Sequence, residues 1–74
     1  MTTITEARRL IKSITTQAKD ATGADRILLR DRVHSLIDDC EGNIDFYCFA
    51  DSDSMIEKWE QVRDEFENLY CSLL

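Results

Sequence analysis

The feature that most constrains this chain is a spacing. In three separate stretches the apolar residues return at alternating steps of three and four, the period of one helix face, and no proline interrupts any of them. The first stretch carries Ile4, Ala7, Ile11, Ile14, Ala18 and Ala21, widened by Leu10. Leu29, Val33, Leu36 and Cys40 form the second, broadened by Ile37, and Met55, Trp59, Val62, Phe66, Leu69 and Leu73 form the third. Such seams predict an all-α fold, a small antiparallel three-helix bundle with helices over residues 4–21, 24–41 and 54–73.

Local signals set the expected ends. Thr3-x-x-Glu6 and Ser54-x-x-Glu57 have the form of capping boxes for the first and third helices. Thr22-Gly23 separates the first two helices, and Gly42-Asn43 is expected to stop the second. Residues 43–53 then form a short aromatic linker, read as a helical turn with Phe46, Phe49 and Ala50 inward, or as irregular chain. An extended conformation there would leave backbone groups unpaired unless a second copy supplied them. The expected core comprises Leu10, Ile11, Ile14, Leu29, Val33, Leu36, Trp59, Val62, Phe66 and Leu69. Small alanines on the first seam complement Trp59 and Phe66 on the third, so these two helices are expected to pack together.

At 74 residues the chain has room for a single helical domain, residues 1–74. A core of that size supplies only about 3–5 kcal/mol, so helix packing or self-association must supplement it. Disulfides do not fit that role, because Cys40, Cys48 and Cys71 are odd in number and suggest a reduced, cytoplasmic setting. The N-terminal residues show no export signal, Thr2 stands where myristoylation needs glycine, and no apolar run is long enough for a membrane span.

Motifs for chemistry fail on inspection. Asp51-Ser52-Asp53-Ser54 opens like a calcium loop, but Ile56 and Val62 occupy the positions that need glycine and a bidentate carboxylate, so capping is the better account. His34, Cys40, Cys48 and Cys71 have none of the paired spacings of a zinc site. One histidine without a spaced nucleophile, and no glycine-rich loop, argue against an enzyme and against a bound cofactor. Cys71-Ser72-Leu73-Leu74 has the form of a prenylation box, but the acidic residues before it and the seam position of Leu73 argue for a docked helix end and no membrane attachment.

Charge is the informative remainder. The formal net charge is -6, yet residues 1–40 hold seven basic and six acidic side chains while residues 41–74 hold two and nine. The third helix carries Asp53, Glu57, Glu60, Asp64 and Glu67 at steps of four, three, four and three, a ridge opposite Trp59 and Phe66. This ridge is expected to meet a basic protein partner, nucleic-acid-handling proteins among the candidates, as a regulator or inhibitor that mimics phosphate charge. Direct nucleic-acid binding is not expected of so acidic a chain. Small size, acidity and missing catalytic groups are shared with many phage and mobile-element inhibitors. The alternative is a self-associating assembly module, a helical homodimer, in which Phe46, Tyr47 and Phe49 are the candidate aromatic interface.

Overall fold

A computed structural model describes residues 3–74 as three α-helices: α1 (Ile4–Asp20), α2 (Ala24–Phe49) and α3 (Asp53–Ser72). They form an antiparallel bundle measuring 42 × 19 × 17 Å, and no strand occurs among the described residues. The closest pairing is the α2–α3 hairpin, and α1 lies against it, more on α3 than on α2.

Helix α1 starts as the sequence indicates. The Thr3 hydroxyl accepts a hydrogen bond from the Glu6 amide at 3.1 Å, satisfying one of the donors that every helix start leaves open. It ends at Asp20, one residue short of the expected end, with Ala21 extended. Gly23 then acts as the N-cap of α2 at φ 56° and ψ -125°, a conformation that suits glycine and strains any residue with a Cβ.

The second helix departs from expectation. Gly42-Asn43 does not stop it; α2 runs on through residues 43–49, so there is no separate linker helix or irregular chain before Phe49. The reason lies in the seam: the sequence Leu29, Val33, Leu36, Cys40 continues through Asn43 to Tyr47 at steps of three and four. Asn43 is a polar residue in a core position, buried to 8% exposure, and it disguises the periodicity. Ile44 and Tyr47 pack against the core beyond it. That burial outweighs the roughly 1 kcal/mol that a mid-helix glycine costs relative to alanine.

The true stop is a Schellman ending without glycine. Asp51 takes φ 59°, its amide donates to the Cys48 carbonyl at 3.3 Å, and the Ser52 amide donates to the Tyr47 carbonyl at 3.0 Å. Aspartate tolerates this left-handed conformation better than most side chains. Because Ser52 closes α2 and also serves as the N-cap of α3, α3 begins at Asp53 and the Ser54-x-x-Glu57 box is not formed. The far end of the hairpin is tied by Arg26, whose Nε and Nη2 donate to the carbonyls of Leu73 and Ser72 at 3.1 and 2.6 Å. A guanidinium there satisfies two carbonyls left open by the helix end and complements the helix dipole.

The core comprises Ala7 and Ile14 of α1, Val33 and Cys40 of α2, Trp59, Val62, Phe66 and Leu69 of α3, and Leu73 just beyond it. Leu10, Ile11, Leu29 and Leu36, expected in the core, are half-buried at its margin. Ala7, Trp59 and Phe66 line one small void together, as the match of small and large seams implies.

The two glycines should respond oppositely to alanine. Gly42 is helical and a methyl group on its Cα would meet only open space, so Gly42→Ala should stabilise by about 0.5–1 kcal/mol. Gly23→Ala should destabilise by about 1–2 kcal/mol, since its positive φ disfavours alanine. Urea denaturation followed by circular dichroism measures both.

Candidate interaction surfaces

The five carboxylates of the α3 ridge, Asp53, Glu57, Glu60, Asp64 and Glu67, are all exposed, on the side away from Trp59 and Phe66. They are not equivalent. Arg63, at the edge of the core, reaches Asp64 at 3.5 Å and Glu67 at 3.8 Å, which offsets the C-terminal end of the ridge. Asp53, Glu57 and Glu60 have no salt bridge among the described residues, and they form the unneutralised half. This half covers the first turns of α3, where the positive end of the helix dipole relieves repulsion between neighbouring carboxylates.

A second acidic line lies on α2. Asp31, Asp38 and Asp45 recur every seven residues on one exposed face. Of these, Asp38 is 3.8 Å from Nδ1 of His34, whose ring lies 6.0 Å from that of Tyr70. The heptad spacing is visible in the sequence, but Asp45 joins the face of Asp31 and Asp38 only once α2 is known to continue past Gly42.

The aromatic segment is divided by the helix that carries it. Tyr47 turns toward the core, while Phe46 is 51% and Phe49 94% exposed, with the Phe46 and Tyr47 rings edge to face at 5.1 Å. The expected inward placement of Phe46, Phe49 and Ala50 is therefore corrected: all three are exposed. The cause is helical phase, because continuing the α2 seam to Tyr47 puts Phe49 nearly opposite the core. At the other end of α2, Ile27 and Leu28 are exposed as well.

The groups considered for chemistry are dispersed. Among the described residues, no three His, Cys, Asp or Glu side chains come together as a metal site. Cys40 is buried, Cys48 and Cys71 are exposed, and all three thiols are free. Burial pushes the Cys40 thiol up to about 11, with Asp39 and Glu41 adding to the effect and Arg63 opposing it. The void lined by Asp39, Cys40, Asn43 and Trp59 is about 10 Å3, the scale of one water molecule. Leu73 is buried and its carbonyl is held by Arg26, so the Cys71-Ser72-Leu73-Leu74 segment is anchored at Leu73, with Cys71 and Leu74 exposed. No helix among the described residues is long and apolar enough to cross a membrane.

Compared with protein-family models, with curated proteins and with solved structures, the chain matches none.

Cysteine chemistry tests the described packing. With a disulfide reagent at neutral pH, Cys48 and Cys71 should react at once and Cys40 only as the protein opens. The unfolded thiol ionises near 9.0 and the folded one near 11, so the unfolded state loses its proton first and stability from this group falls as pH rises between those values. Replacing Cys40 with alanine should remove that part of the alkaline destabilisation, as urea titrations at graded pH would record.

Proposed function

We propose that this chain is a small, non-enzymatic binding protein of the cytoplasm that regulates or inhibits a basic protein partner through the acidic face of α3. Nucleic-acid-handling proteins are the favoured partner class, because a rigid row of carboxylates can occupy a groove built for phosphates. The observation that carries the reading is the unpaired half of the ridge: Asp53, Glu57 and Glu60 are exposed together, without a cation of their own among the described residues. A fixed negative patch of this kind accelerates encounter with a positive surface and disfavours acidic competitors. The acidic line on α2 extends the same negative potential around the molecule. In composition the proposed type is that of phage and mobile-element inhibitors.

The self-associating assembly module is kept as a second reading on one observation. Phe49 is almost fully exposed and Phe46 half so, and exposed aromatic side chains are common anchors of interfaces. In that reading the copies meet through the outer face of α2, and Asp31, Asp38 and Asp45 would oppose close approach.

Charge reversal separates the two readings. Glu57→Lys combined with Glu60→Lys should weaken capture of a basic, salt-sensitive partner from the native host by about tenfold or more, with helical circular dichroism retained. Phe49→Ser should leave that capture intact. Equal capture by the charge-reversed and original proteins would overturn the acidic-face proposal, and loss of a dimer by Phe49→Ser in sedimentation would favour the module.

A further inference from the structure

At the end of the bundle where α1 begins and α2 hands over to α3, a groove of about 560 Å3 opens between the first turns of α1 and α3. Its volume lies within the range of small-molecule sites. Ile4, Tyr47 and Met55 supply its apolar surface over the buried Trp59, and Arg8 and Lys58 supply charge. Among the described residues no carboxylate lines it, although the chain contains fifteen acidic residues. Neither Arg8 nor Lys58 has a salt bridge among the described residues. The groove at the opposite end, about 530 Å3, differs in kind, since Asp20 and Asp25 there offset Arg32.

We infer that the groove bounded by Arg8, Lys58, Tyr47, Met55 and Trp59 is a binding site for a small amphipathic anion, an apolar body bearing a carboxylate or comparable head. The two cations set the sign of the head, because a cationic ligand would be repelled and a neutral one would gain nothing from their field. The apolar wall requires the body, since an inorganic anion alone would leave Tyr47 and Met55 uncovered. Methionine adapts its shape to varied partners, so the wall accommodates flat or branched bodies. Trp59, 2% exposed, lies beneath this wall, so a bound body would sit close to the indole. This site is separate from the acidic face of α3 and stands whether or not that face binds a protein.

The chain has one tryptophan, so its fluorescence reports on this groove directly. The probe is 4-phenylbutyrate, with 4-phenylbutyramide as its neutral counterpart. The expected result is a saturable change in Trp59 emission, with a dissociation constant of about 1 mM, the range for a fragment of this size. A shift of the indole N–H resonance should accompany it, and the amide should bind several-fold more weakly. Arg8→Gln combined with Lys58→Gln should weaken the carboxylate by about tenfold, whereas Arg9→Gln, outside the groove, should leave it unchanged. The proposal is overturned by the absence of saturation at about ten times the expected dissociation constant. Equal binding of acid and amide, or an equal loss with Arg9→Gln, would also overturn it, as both mean unspecific adsorption. Circular dichroism of each exposed-residue variant confirms that the bundle persists.

Discussion

The interaction on which the rest depends is the burial of the α3 side chains Trp59, Val62 and Phe66 against small partners. In so short a chain, no other element has comparable apolar volume, and each such side chain contributes about 1.5–3 kcal/mol when removed from water. Val33 and Cys40 of α2 and Ala7 of α1 belong to the same buried cluster, and Cys40 and Ala7 line a small void together with Trp59 and Phe66. Truncating either aromatic would cost about as much as the whole stability expected for a bundle of this size.

Once that face is committed to the core, the helix period directs the opposite face outward with its carboxylates. The acidic ridge is thus a by-product of α3 packing in its position, though not in its chemistry, since lysines would be accommodated there equally well. The distinction between its halves arises from Arg63, which lies beside the core and reaches two carboxylates of the later turns. The hairpin is held at both ends by backbone groups that the helices leave open: the Schellman closure at Asp51 and Ser52, and Arg26 on the last carbonyls of α3. The groove with Arg8 and Lys58 lies at the Asp51 end, so the α2–α3 turn, through the placement of Tyr47 and Met55, also shapes a groove whose described lining holds two cations and no carboxylate.

Much of this is legible in the sequence. The three seams, the Thr3 cap, the exposed ridge and the pairing of small with large residues all follow from period and volume. What is hidden about the end of α2 shares one cause, the ambiguity of residues that favour turns when they stand at helical positions. Asn43 reads as a stop because asparagine favours turns, yet here it occupies a seam position and the helix passes through it. Gly42 reinforces the false stop, although its side of α2 faces open space. Asp51 has no glycine to announce a left-handed ending, so the real stop carries the weaker signal. A stop at Gly42 in turn assigns Phe46, Phe49 and Ala50 the wrong helical phase. The groove depends on residues from three helices, and no linear spacing expresses that juxtaposition.

Continuity of α2 is the central claim, because it sets the phase of Tyr47, the exposure of Phe49, the acidic line of Asp31, Asp38 and Asp45, and the position at which α3 begins. Backbone carbon chemical shifts across residues 41–52 test it most directly. Uninterrupted helical shifts through Gly42 and Asn43 to Phe49, followed by a left-handed signature at Asp51, are the predicted result. A break at Gly42-Asn43 with random or extended shifts over residues 44–49 would contradict the account.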